Sequence, residues 1–150
     1  MVFNAEDKYK AINYIRRLLS RRPYSFSEIR NRLVNQGFTS DIIEEVLKEL
    51  EKKFSKEQLD KEVIESLYLG ACRKGKGPNW LKRRASLEGI SSDMLHLYID
   101  EFDWEQPLIK CVEKAKRRYG KNLRKIRQYI YASGFDDSVW EKVLVMLKEG

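Results

Sequence analysis

The chain has one histidine, two cysteines and three prolines in 150 residues. A lone His96, with Cys72 and Cys111 far apart, leaves no CxxC pair and no recognisable zinc-ligand set. Both cysteines are expected as reduced thiols packed in helices, the state a cytosolic compartment maintains. No GxxxxGK[ST] phosphate loop occurs, and no alternating run of β-branched residues reaches five. No window approaches the ~20 apolar residues of a membrane span, and the N-terminus has no charged-then-apolar leader pattern. His96 reads as an ordinary helix residue rather than a base, and Asp136-Asp137 as helix capping. The expectation is an all-α, non-enzymatic, cytoplasmic protein that needs no cofactor and meets no membrane.

What the chain does have is repetition. Gly37, Gly89 and Gly134 each follow a helical stretch and precede one apolar residue, a polar capping pair and a further helix. The spacing of roughly 45 to 52 residues predicts a modular array of three tandem three-helix modules, elongated and curved, over 1–54, 55–102 and 103–150. Ser25 with Glu28 reads as a capping box, Ser40 as the cap of the third helix and Asn122 as the cap of the eighth. Pro78 suits a first helical turn. Gly75-Lys76-Gly77-Pro78 reads as a helix-to-helix turn that could also present N–H groups to a phosphate.

The three copies align on their glycines. Eight residues before them stand Ile29, Leu81 and Ile126, and four before stand Leu33, Ala85 and Ile130. Six after stand Ile43, Leu95 and Trp140, and ten after stand Leu47, Ile99 and Leu144. Apolar in every copy, these rows are the expected core, Trp140 included. Seven before the glycines stand Arg30, Lys82 and Arg127. A row that is basic in all copies implies an anionic partner, or else long stems covering apolar surface. Trp80, whose counterparts are Glu28 and Lys125, is either a surface aromatic that meets a nucleotide or a packing residue between modules. Tyr129 is expected outward, and Trp104 at a module junction.

Net charge is +7, and it is unevenly placed. Basic residues crowd the end of each module's first helix and the body of its second. Acidic ones gather on the third, at Glu44, Glu45, Asp100 and Glu101. Such segregation predicts a basic stripe toward a polyanion.

Several stretches resemble the RecX family. They are Arg22-Pro23-Tyr24-Ser25 leading to Glu28-Ile29-Arg30 and Gly37-Phe38, then Gly75-Lys76-Gly77-Pro78 with Gly89-Ile90, then Gly134-Phe135 after a basic helix. Where that family usually carries paired acids followed by Arg-Phe-Ala, this chain has Phe54-Ser55-Lys56-Glu57-Gln58-Leu59-Asp60-Lys61. The resemblance implies a monomeric modulator of RecA that lies in the groove of the recombinase filament and suppresses ATP hydrolysis and strand exchange. It carries over the module plan, not individual contact residues. On the charge pattern, Arg30, Arg32, Trp80, Lys82, Arg83, Arg84, Lys121, Arg124, Lys125 and Arg127 are the candidates for contact with the filament and its DNA, bare single- or double-stranded DNA being bound weakly. The alternative is a stand-alone helical-repeat protein that binds nucleic acid without sequence preference.

Overall fold

The computed structural model describes residues 5–149. Residues 1–4 and Gly150, which the spans 1–54 and 103–150 include, lie outside the described residues. Among the described residues there are nine α-helices, two 3-10 turns and no strand. The first unit holds α1 (Ala5–Arg21), α2 (Phe26–Asn35) and α3 (Ser40–Lys53). The second holds α4 (Lys56–Lys74), α5 (Pro78–Leu87) and α6 (Ser92–His96), and the third α7 (Glu105–Tyr119), α8 (Leu123–Ala132) and α9 (Trp140–Glu149).

Capping sets most helix starts. Ser25, Ser55, Ser91 and Asn122 each accept the N–H three residues on, from Glu28, Gln58, Met94 and Lys125. Only half of the expected capping box forms at α2, because the Glu28 carboxylate turns to Arg32 Nε at 3.0 Å. Thr39 rather than Ser40 caps α3, accepting from the Ile42 N–H. Ser40 is already helical, and the Ile43 N–H it would need is taken by the Thr39 carbonyl at 3.0 Å. The third helix of the second unit is cut short. After five residues its bonding tightens, with Leu97 N–H on the Met94 carbonyl and Tyr98 N–H on that of Leu95, and a 3-10 turn over Ile99–Glu101 follows. That turn still brings Ile99 into the core. His96 therefore ends its helix, with Nδ1 against the Ser92 carbonyl.

Three apolar clusters fill the units, centred on Ile29 and Leu33, on Ile64 and Leu81, and on Cys111 and Ile126. Each fully buried Leu or Ile contributes roughly 1.5–3 kcal/mol relative to exposure. The rows before the glycines are buried in all three copies. The rows after them hold in the first two units and slip in the third. There Val143 is fully buried, while Trp140 and Leu144 are half-buried. The 3-10 turn Asp137–Val139 that precedes α9 changes the register, so a neighbouring position points inward. Tyr129 also departs from expectation. It is half-buried, with its ring edge-on to Tyr119 at 6.0 Å.

Neighbouring clusters trade side chains. Leu59 of α4 packs in the first cluster. Trp104, just before α7, packs in the second, against Tyr68 and Phe102, and donates its indole N–H to the Ile99 carbonyl at 3.0 Å. Its expected junction role holds.

One geometry links both pairs of units. The start of α2 seats on the end of α5, and the start of α5 seats on the end of α8. At the first seat the Ser25 hydroxyl donates to the Glu88 carbonyl at 2.5 Å, and the Phe26 N–H donates to the buried Asp60 carboxylate at 3.2 Å. At the second, the N–H groups of Gly77 and Asn79 donate to the carbonyls of Ser133 and Gly134, both at 2.9 Å. Helix ends leave unpaired N–H groups at one terminus and carbonyls at the other; at the second seat the two satisfy each other directly, and at the first the Ser25 hydroxyl and the Asp60 carboxylate supply the partners. The Gly75–Pro78 turn is thus not a phosphate cradle. The Gly75 and Lys76 N–H groups go to the Ala71 carbonyl and that of Gly77 to Ser133. Both cysteines are free thiols, and burial pushes that of Cys111, beside Ser133, above its ordinary pKa.

Candidate nucleic-acid interface

The seating order makes a line of second helices, α2 to α5 to α8, and the candidate cations lie on those helices, Lys121 in the turn just before α8. Core residues occupy one side of each: Ile29 and Leu33, Leu81 and Ala85, Ile126 and Ile130. The basic positions fall on the remaining faces, as the helical period requires.

Their surroundings differ. Arg30 reaches Glu44 of α3 at 2.5 Å and holds that carboxyl below its ordinary pKa. Arg32 pairs with Glu28 and lies over the Tyr24 ring at 4.9 Å. Lys82 borders the cleft between the second and third units and helps hold Asp136 low, after the larger effect of the Ser138 hydrogen bonds. Arg83 is exposed. Arg84 lies 3.6 Å from Glu88, whose carboxylate also meets Arg22 at 3.3 Å. Lys121 and Arg124 are exposed, and Lys125 lies 5.9 Å from the Tyr119 ring centre. Arg127 is 3.3 Å from Asp137 and 5.0 Å over the Trp140 ring. Among the described residues, Arg83, Lys121 and Arg124 make no ion pair.

Two members of the basic row, Arg30 and Arg127, are therefore ion-paired within the protein. Exposed pairs of this kind contribute only ~0.2–1 kcal/mol each, so an anionic partner can open them at small cost. The acidic third helix of the first unit is partly consumed the same way. Besides Glu44 with Arg30, Glu45 and Glu49 meet Lys8 at 3.4 and 2.5 Å.

Trp80 is drawn into the junction. It is half-buried beside the Gly134 backbone, with Lys74 Nζ 5.6 Å from its ring. Of its two sequence readings, packing between units describes its observed surroundings.

Arg124 and Arg127 come together with Trp140 and with three residues outside the sequence candidates, Leu123, Gln128 and Tyr131. They share an open cleft of about 700 Å³. A signal was present: positions 124, 127, 128 and 131 are spaced as one face of a helix. Trp140 packs against the core, as its aliphatic counterparts lead one to expect, and also lines this cleft. Among the described residues no group of three or more His, Cys, Asp or Glu is placed to hold a metal ion, and no helix is long and apolar enough to cross a membrane.

Comparison with known proteins agrees with this architecture. Residues 11–50 match the family profile described as RecX, first three-helix domain. The regulatory protein RecX of Haemophilus influenzae (strain PittEE) is 32% identical over 133 residues, covering 83% of this chain and 86% of that protein. The protein of the same name from Legionella pneumophila (strain Corby) is 26% identical over 145 residues, covering 93% and 95%. The crystal structure of RecX from Lactobacillus salivarius shares the fold with a TM-score of 0.76 at 23% identity, over 98% of this chain and all of that one. With its three glycine-turn units seated in series, the chain belongs to the RecX family of regulatory proteins.

Proposed function

We propose that this protein binds the RecA–DNA filament along its helical groove and inhibits ATP hydrolysis and strand exchange, acting as a monomer in the cytoplasm to restrain recombination and the SOS response. The observation that carries this reading is the serial seating of α2, α5 and α8. It lines up one basic helix after another. In this reading the exposed cations Lys82, Arg83 and Arg84 of α5, with Arg30 and Arg32 of α2, Lys121 of the turn before α8, and Arg124, Lys125 and Arg127 of α8, face the filament. Trp80 supports the bend of the array rather than touching DNA.

The test is ATP hydrolysis by RecA on single-stranded DNA, titrated with the protein at fixed salt. Wild-type protein is expected to inhibit below one molecule per recombinase subunit. The triple variant Lys82→Glu, Arg83→Glu, Arg84→Glu should inhibit at least tenfold less well (~1.4 kcal/mol) while its helical circular dichroism and melting stay unchanged. Full inhibition by a folded triple variant would remove α5 from the contact surface.

A further inference from the structure

The third unit exposes what the first two cover. Eleven residues before the glycines stand Phe26, Pro78 and Leu123. Phe26 is buried where α2 seats on the second unit, and Pro78 is half-buried where α5 seats on the third. Leu123 of the third unit is 49% exposed. Beside it Tyr131 is 66% exposed, and Trp140 stands half-buried where the other units hold the buried Ile43 and Leu95. Two aromatic rings and two guanidinium groups therefore converge on the 700 Å³ cleft, and its one carboxylate, that of Asp137, is an exposed partner of Arg127. Lys121 and Lys125 stand exposed on the neighbouring turn of the same helix start.

We propose that this cleft binds an unpaired nucleic-acid strand, with bases resting on the planar groups of Tyr131 and Trp140 and phosphates on Arg124 and Arg127. The inference rests on the reading that the basic face of the third unit meets nucleic acid, and it names the form. A duplex keeps its base faces stacked and offers phosphates alone, so the aromatic rings would have nothing to meet. An unpaired strand offers both, and stacking on aromatic side chains tolerates any base. A second copy of the chain is the other occupant to consider, because a following unit would seat here. The cleft argues against it by charge. The Gly37 turn at the opposite end of the array carries uncharged Gln36, Phe38, Thr39 and Ser40, and of the acids that follow it Glu44 and Glu45 are paired with Arg30 and Lys8, which leaves Asp41 to meet two arginines and two lysines.

The experiment is fluorescence anisotropy of labelled oligo(dT), about 15 nucleotides long, against the full chain, beside a duplex of equal length and with RecA absent. Tyr131→Ala removes an exposed ring and should weaken oligo(dT) binding about tenfold, with under twofold effect on the duplex. Arg124→Ala should weaken both and lower the slope of affinity against salt by about one. Trp140→Leu, which keeps an apolar side chain against the core, should act like Tyr131→Ala. Unchanged oligo(dT) affinity in both aromatic variants would overturn the proposal, as would equal losses on duplex and single strand. Concentration-dependent self-association abolished by Tyr131→Ala, without oligo(dT) binding, would assign the cleft to a second copy. RecA inhibition is measured separately. If inhibition persists while oligo(dT) binding is unaffected by the variants, only the cleft assignment fails; if oligo(dT) binding behaves as expected without inhibition, it is the filament reading that fails.

Discussion

Gly134 stands so close to Trp80 that a Cβ on the glycine would lie 2.6 Å from the Trp80 backbone nitrogen. Its φ of +105° is a conformation that side chains disfavour in any case. The close approach comes from the seat of α5 on α8, and the backbone conformation from the glycine stop of α8. The Gly37 turn has the same local role and a φ of +89°, with nothing within 4 Å of where a Cβ would be.

The pair makes an internal control. Gly37→Ala should cost about 1–2 kcal/mol, the strain of the left-handed backbone alone. Gly134→Ala adds a collision with backbone that cannot rotate away, and should cost at least ~1–3 kcal/mol more. Urea denaturation of the two variants measures the difference. Equal losses would mean that the seat between the second and third units yields freely.

Ser25 serves two helices at once. Its hydroxyl oxygen accepts the Glu28 N–H inside its own unit, and its proton goes to the Glu88 carbonyl of the next. Ser55 caps α4 by the same local bond from an exposed position. Ser55→Ala should therefore cost about 1 kcal/mol, the ordinary value of a lost cap. Ser25→Ala also leaves a carbonyl at the junction unpaired, and is expected to cost about 1 kcal/mol beyond that. Chemical denaturation curves compare them, and indistinguishable midpoints would remove the junction role.

Asp60 should give stability a pH dependence. It is 5% exposed, and burial raises its pKa above the ordinary value, against the lowering effects of the Phe26 N–H and of Lys56. A raised folded pKa means that the contribution is fully present below the unfolded value of about 3.9 and is lost as pH rises through the folded one. Asp60→Asn keeps an acceptor for Phe26 without a buried charge. Its stability relative to wild type should therefore rise from pH 4 toward neutrality. Asp60→Ala leaves the N–H unpaired and should cost about 1–3 kcal/mol at pH 7. Stability measured across that pH range tests both, and a constant difference between Asp60→Asn and wild type would contradict the assignment.

The basic row shows how far sequence comparison reaches. Arg30, Lys82 and Arg127 are equivalent by position, and all three are basic. Yet Arg30 is tied to Glu44 of its own unit, Arg127 to Asp137, and Lys82 looks across a cleft toward Asp136 of the next unit. Their equivalence is local, whereas their partners come from segments ten or more residues away. Tyr129 and Trp140 depart for a related reason. The counterparts of Tyr129 are the arginines Arg32 and Arg84 and those of Trp140 are aliphatic, and a large ring occupies space differently from either.

By itself the sequence determined the helices, their glycine stops, the caps at Ser25 and Asn122 though not Thr39 in place of Ser40, the buried rows at Ile29, Leu81 and Ile126, and the threefold plan. Each of these is decided within a few residues, by hydrogen bonding three to four positions apart and by apolar periodicity. Only the tertiary structure decided that the Gly77 N–H serves Ser133 and not a phosphate, that Asp60 closes the first junction, and that Arg124, Arg127, Tyr131 and Trp140 share a cleft. These depend on where separate helices come to rest, and that placement follows from packing summed over whole units rather than from any local pattern.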